Sequence, residues 1–459
     1  MSKHTDINFT EDRIIRNLIL FAIPIIISEL LQTMYNSVDS LVVGNFVSDA
    51  ALAAVSVCTP ITNLLVGFFN GMSLGNTVVV ARSYGSGDEE RTRQAIRYAF
   101  TFSVALGVFV SVLSILLAPV LLHITGANEE IYREAIIYLR IYLAGVMFMV
   151  IYNCGTGILR AIGDSQSPLK ILAVTSVINI VLDLLFVGAF AWGTAGVGIA
   201  TIIAQGISVV LIYYQIRRRS GVHCIAFTET WREGRGTILS SLNVGFAAGL
   251  QSAMISFSNI FVWSYINSFP TPVVAGIGAA TKVDRFVMLP CKSLAMTTTT
   301  FVSQNIGARK YQRARRGIWY GMGLSAAVTA ALGVLLYLFA EPVIRCFNQN
   351  PDVIVAGAGL SRFLAPLYMI MVVREVLLGY LRGYGRSKTS MILTLIGMIG
   401  VRQLYLAWAM ARYGTVRVIY ASFPIGWASA MVLLMIYTAI VAKRMWREVE
   451  EKDPGKLSS

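Results

Sequence analysis

The sequence predicts an all-α integral membrane protein with twelve transmembrane helices, arranged in two six-helix lobes. Three observations predict it. The chain of 459 residues is 56% hydrophobic and only 14% charged, with a mean hydropathy of +0.66. Apolar runs of spanning length follow one another from end to end, and the pattern repeats after 222 residues. Soluble domains are nearer a quarter charged and a membrane helix needs ~20 apolar residues, so little length is left for a soluble domain.

Apolar runs between charged or Gly/Pro-rich breaks place the spans near residues 14–46, 51–80, 96–118, 134–158, 168–190 and 195–216, then 237–268, 273–303, 318–339, 355–381, 389–410 and 416–441. Several exceed a vertical crossing, and Pro24, Pro290, Pro366 and Pro424 lie inside them, so tilted or kinked helices are expected.

Orientation follows from the distribution of Arg and Lys. Alternate loops and both tails hold Lys3, Arg13 and Arg16; Arg82, Arg91, Arg93 and Arg97; Arg160 and Lys170; Arg217 to Arg219; Arg309 to Arg316; Arg382, Arg386 and Lys388; and Lys443, Arg444 and Arg447. The opposite loops offer only Arg133, Arg345, Arg412 and Arg417 and carry acids instead. Both termini are therefore expected in the cytoplasm. The net charge of +14 has the same origin and reads as membrane orientation, so no nucleic-acid partner is expected.

Met1 to Asn17 are polar and lead into a run too long for a signal h-region, so no cleaved segment is expected. Cys58, Cys154, Cys224, Cys291 and Cys346 are scattered without a CxxC pair, and His4, His123 and His223 fall in tails or loops. A zinc site, a disulfide framework and a histidine metal enzyme are thereby disfavoured.

Leu159-Arg160-Ala161-Ile162-Gly163-Asp164-Ser165 returns as Leu381-Arg382-Gly383-Tyr384-Gly385-Arg386-Ser387. The same shift carries Gly85, Arg91 and Arg93 onto Gly307, Arg313 and Arg315. The expected organisation is an N-terminal lobe at 1–216, a basic cytoplasmic linker at 217–236, a C-terminal lobe at 237–441 and a cytoplasmic tail at 442–459. An even number of spans per half makes both halves enter from one side, with a pseudo-twofold axis along the membrane normal, an architecture suited to alternating access.

An ionised side chain at the bilayer centre costs ~3 kcal/mol on insertion scales, so each one suggests function. The first half has Glu29 and Asp39 in span one and Asp183 in span five. Asp39 lies seven residues before Phe46 and Asp183 seven before Phe190, about 10 Å below the outer surface, and Thr201 of span six reaches the same level. Asn179 is one turn from Asp183 and Tyr35 one turn from Asp39. Two carboxylates in low dielectric either share a proton or hold a cation, and oxygen ligands from Asp, Asn and Thr suit a hard cation such as sodium. Asn179, Thr201 and Tyr35 read equally as interhelical hydrogen-bond glue. Glu29, Gln32, Asn36 and Asp39 form a continuous polar stripe, in which Gln32, Tyr35 and Asn36 are candidates to line a substrate path.

The second half has Lys282, Asp284, Arg285 and Lys292 in span eight, Arg362, Arg374 and Glu375 in span ten and Arg402 in span eleven. Lys282, Asp284, Arg285, Lys292, Arg374, Glu375 and Arg402 are read as an ion-pair network, with Lys292 and Glu375 at one depth as a buried pair.

The pattern resembles the multidrug and toxic compound extrusion (MATE) family of secondary transporters. The resemblance rests on Pro24, Leu31-Gln32, Tyr35-Asn36-Ser37-Val38-Asp39-Ser40, Gly163-Asp164-Ser165, Asn179 with Asp183, and the two six-helix halves. It implies export of organic cations or drugs in exchange for protons or sodium by rocking between inward- and outward-open states, with no other cofactor. The family's first-lobe cation site falls on Asp39, Asn179, Asp183 and Thr201, and the chain looks most like the branch named after the DNA-damage-inducible transporter. The other well-known branch places acids in spans seven and ten, where this chain offers only Arg374-Glu375. The resemblance further implies a monomer in a bacterial plasma membrane.

Three rivals compete with this reading. A lipid-linked saccharide or lipid flippase of related architecture would want a cationic cavity, which Lys282, Arg285, Arg362 and Arg402 leave open. An intramembrane enzyme lacks a histidine within the spans and is not expected. A receptor without transport would have no need of paired buried carboxylates. No GxxxxGK loop occurs, so ATP coupling is not expected.

Overall fold

A computed structural model describes residues 7–11, 13–46, 49–125, 129–222 and 225–452; the side chains of 35–46, 49–53, 56, 124, 130 and 441–452 lie outside the described residues. Among the described residues every regular element is helical. The first half comprises α1 (Ile14–Phe46), α2 (Asp49–Gly85), α3 (Glu89–Ile124), α4 (Glu129–Ala161), α5 (Gln166–Asp183), continued by a π-helical turn (Leu184–Ala189), and α6 (Gly193–Ser220). A short helix, α7 (Phe227–Arg232), lies in the connection.

The second half comprises α8 (Arg235–Ile266), α9 (Thr271–Gly307), α10 (Tyr311–Arg345), and α11 (Pro351–Leu364), which bends through a 3₁₀ turn (Ala365–Leu367) at Pro366 into α12 (Tyr368–Gly383). There follow α13 (Ser387–Leu395), a π-helical turn (Ile396–Val401), α14 (Arg402–Tyr413) and α15 (Val416–Lys452). These pieces make twelve spanning segments. Eleven are apolar enough to cross a membrane by composition, and α9 is the exception, because Lys282, Asp284, Arg285 and Lys292 interrupt it. Its 37 residues reach ~55 Å, ample for a crossing.

Local chemistry sets several helix ends. Asp88 caps α3 by accepting from the Arg91 backbone N–H at 2.9 Å, and Glu89 and Glu90 in the first turn complement the helix dipole. The repeated motif ends α4 and α12 in the same way. Asp164 N–H donates to the Leu159 carbonyl at 2.9 Å and Arg386 N–H to the Leu381 carbonyl at 2.8 Å, with Gly163 and Gly385 at φ of +94° and +84°. This is a Schellman closure, which favours glycine at that position because a side chain there is strained.

The chain divides into two compact units, Met1–Ala253 with Thr300–Arg315, and Met254–Thr299 with Arg316–Ser459. In the first, α2 meets α8 through small residues. A Cβ on Gly71 would stand 2.2 Å from the Gly249 nitrogen, and one on Gly75 2.1 Å from the Ser241 carbonyl oxygen. Backbones approach this closely in membranes only where side chains are absent. The connection docks on the same unit, where Arg97 of α3 pairs with Glu229 of α7 at 2.5 Å.

The polar N-terminal stretch contributes an unexpected core residue. Phe9 is fully buried, 4.9 Å from the Phe21 ring and 5.4 Å from the Phe301 ring, both edge-on. Its N–H donates to Gln304 Oε1, and its carbonyl accepts from Asn305 Nδ2 and Arg313 Nε. Gln304 Nε2 in turn donates to the Ala161 carbonyl at 2.8 Å.

Candidate functional site

The first candidate site is built on α5. Thr175, Asn179 and Asp183 recur every fourth residue on its buried face, while Val174, Val177 and Val181 are exposed on the opposite face. Asn179 and Asp183 are completely buried, and both are engaged in polar interactions. Asp183 is the last α-helical residue before the π-helical turn, a local widening that is frequent at functional sites.

The turn ends in a tight reversal at Ala191, φ 54°, closed by Trp192 N–H donating to the Phe186 carbonyl, with the Phe186 and Trp192 rings stacked at 4.9 Å. The reversal sends α6 back alongside α5 and presents Thr201, nearly buried, with Oγ1 donating to the Val197 carbonyl at 2.9 Å. That bond uses the hydroxyl hydrogen and leaves the oxygen lone pairs available to a cation. α1 packs against α5, the π-helical turn and α6. Asp39 lies on α1 seven residues before its end at Phe46; its side chain and those of Tyr35 and Asn36 lie outside the described residues, as do His4, His223 and Cys224.

Of the stripe on α1, Glu29 and Gln32 are half-buried. Glu29 lies within electrostatic reach of Arg160, the basic residue in the last turn of α4, so one intramembrane acid has a basic counterpart in the same unit. Asp164, singled out only as part of a motif, pairs with Arg219 at 3.2 Å and accepts from the Ser167 backbone and hydroxyl, fixing the start of α5. Among the described residues no group of three or more His, Cys, Asp or Glu could hold a metal ion. Asn179 and Asp183 on α5 and Thr201 on α6 are all buried, on two helices that pack together.

The charged residues of the second unit do not form one network, which corrects the sequence reading. Glu375 pairs with its neighbour Arg374 rather than with Lys292, which is exposed and acts on Glu375 only through its field. The two side chains share one helical turn, so no partner from α9 is needed. Asp284 is buried and accepts from the Tyr368 hydroxyl. Lys282 and Arg285 are exposed.

Arg402, 1% exposed, donates through Nη2 to Ser258 Oγ at 2.8 Å and Asn259 Oδ1 at 3.0 Å, and among the described residues no carboxylate pairs with it. It directly follows the second π-helical turn, as Asp183 directly precedes the first. Neither π-helical turn has a signature in composition that would have revealed it.

The fold and this polar face define a multi-pass transporter. The MatE family matches the chain twice, over residues 24–185 and 247–408, and the chain belongs to that family. The second match begins at 247 where the first begins at 24, a shift of 223 against the 222 read from the motifs. The chain is similar to the "Probable multidrug resistance protein YoeA" of Bacillus subtilis (strain 168), 26% identical with 94% of each chain covered, and to "Probable multidrug resistance protein YpnP" of the same organism, 28% identical with 87% of this chain and 90% of that one. A solved structure described as the outward-facing conformation of a multidrug resistance MATE family transporter matches its fold with a TM-score of 0.89 at 21% identity, covering 97% of this chain and all of the other.

Proposed function

We propose that the protein is a secondary active efflux transporter that exports organic cations or amphipathic drugs in exchange for protons or sodium, by alternating access. The observation that carries this reading is the placement of Asn179 and Asp183, both completely buried, on the face of α5 that packs with α1 and α6. A buried carboxylate in a span is expensive unless it trades a proton or a cation, and that trade is what coupling requires. Asp183, Asn179, Thr201 and Asp39 would hold the ion, and Gln32, Tyr35 and Asn36 would line the substrate path.

The multidrug-resistance names of the relatives support drug export and do not favour the flippase alternative. Bacterial relatives support a bacterial plasma membrane, and the loop charges support cytoplasmic termini. The first-lobe carboxylates support placement in the branch named after the DNA-damage-inducible transporter, and the protein is taken to act as a monomer. The family is one of transporters, so no catalytic step is assigned.

The mechanism is ion exchange at the first unit. Ion entry is favoured by about 2.3 kcal/mol per charge per 100 mV of inward-negative potential. Occupancy of the Asp183 site biases α1, α5 and α6 towards one arrangement, and release lets them return. The test is efflux of a fluorescent organic cation from vesicles containing the purified protein, first under a proton gradient and then under a sodium gradient. Export driven by one gradient establishes antiport and identifies the ion; export driven by neither overturns the reading.

A further inference from the structure

In the second unit, Lys282, Arg285 and Lys292 of α9 are all exposed. They stand at offsets of three and ten residues, which places them within one ~80° arc of the helix and ~15 Å of its length. α9 runs from Thr271 to Gly307, so its midpoint is Leu289, and with the helix centred on the bilayer all three cations lie within seven residues, or ~10 Å, of the middle of a ~30 Å hydrocarbon core.

Lys282 and Arg285 have no hydrogen-bond or ion-pair partner among the described residues. Asp284, between them in sequence, is buried on another face and bonded to Tyr368. Glu375, which feels the field of Lys292, is paired with Arg374. Lipid tails cannot solvate three exposed cations at mid-membrane, so this face must line water, and charges in such a position mark a substrate or ion path.

We propose that the Lys282–Arg285–Lys292 face of α9 is an oxyanion subsite, which takes a carboxylate, sulfonate or phosphate group carried by an amphipathic substrate. The inference rests on the efflux reading and narrows its substrate class, from organic cations in general to molecules that carry an acidic group beside their apolar body. Arg285 supplies a planar fork suited to two oxygens, and the two lysines supply mobile point charges on either side along the helix. Such a subsite also explains why α9 alone falls short of membrane-like composition.

The test uses a rhodamine with a free carboxylate and its ethyl ester, two dyes that share one aromatic body and differ in that charge and one ethyl group. Each is measured for binding by anisotropy in detergent and for efflux from vesicles, with wild type, Lys282→Gln, Arg285→Gln and the double variant. Because both side chains are exposed and have no partner among the described residues, the variants should melt with wild type. The expected result is that the double variant weakens binding and efflux of the carboxylate dye about tenfold and leaves the ester unchanged. Equal losses for both dyes, or no change in either, overturn the proposal.

Vesicles of phosphatidylcholine alone separate a substrate group from a lipid headgroup. Discrimination that persists there supports the subsite, and discrimination that needs phosphatidylglycerol assigns the cations to lipid and overturns it. If wild type exports neither dye, the efflux reading fails, while the anisotropy measurement still decides whether the oxyanion is bound.

Discussion

Gly85 at the end of α2 and Gly307 at the end of α9, related by the 222-residue repeat, make the same contact in reverse. A Cβ on Gly85 would stand 2.0 Å from the Gln304 carbonyl oxygen, and one on Gly307 would stand 2.0 Å from the Arg82 carbonyl oxygen. Arg82 and Gln304 are themselves 222 apart, so two equivalent helix ends cross backbone to backbone within the first unit.

Adding a methyl group at either position forces the two backbones apart. Gly85→Ala and Gly307→Ala should each destabilise by about 1–3 kcal/mol, the usual range for overpacking. Gly323→Ala in α10, where nothing lies within 4 Å of the added carbon, should be neutral or slightly stabilising. Thermal melting in detergent checks all three, and equal melting temperatures would show that the crossing tolerates a side chain.

Phe9 should anchor the N-terminal segment. Phe9→Ala removes a fully buried ring between Phe21 and Phe301, and about 3–5 kcal/mol of local stability should go with it. Hydrogen exchange at Phe9 and Arg309 to Arg313 should accelerate in the variant, while α12 and α15 should be unaffected.

Arg402 makes a different prediction, because among the described residues its guanidinium is held by the neutral oxygens of Ser258 and Asn259. Asn259→Leu should destabilise by roughly 3 kcal/mol, since it strips a partner from a buried guanidinium. In an Arg402→Met background the same change should have little effect. A double-mutant cycle on melting curves measures the difference, and additive effects would mean that Asn259 acts through packing alone.

Thr201→Val keeps the shape of the side chain and removes the oxygen. If Thr201 ligates the coupling ion, efflux at limiting ion concentration should fall about tenfold and recover at saturating ion. A loss that saturating ion does not repair would assign Thr201 to helix packing.

Much of this architecture was legible in the sequence. Apolar runs between charged breaks mark twelve spans, α9 included although its charges keep it short of membrane-like composition, and the motif at Leu159 and Leu381 reports a structural repeat, because a Schellman turn favours the same glycine each time. The buried face of α5 was legible as well, since Thr175, Asn179 and Asp183 share a helical period.

Pairings between helices were not legible. Lys292 and Glu375 matched in depth, yet Glu375 took the adjacent Arg374, because depth constrains height along the membrane and says nothing about rotation around the helix. Phe9 has no sequence signature, because a single aromatic in a polar stretch carries no periodicity. The π-helical turns depend on tertiary packing, which leaves no local mark.

The central claim is that Asp183 couples ion entry to export. Wild type and Asp183→Asn should be reconstituted side by side, and the accumulation ratio of a fluorescent organic substrate measured against an imposed proton gradient and then a sodium gradient. The account predicts uphill export by wild type under one of the two gradients, and in Asp183→Asn only downhill equilibration to a ratio of about one, since an ion that is no longer held cannot shift the equilibrium. Uphill export by Asp183→Asn equal to that of wild type would contradict it.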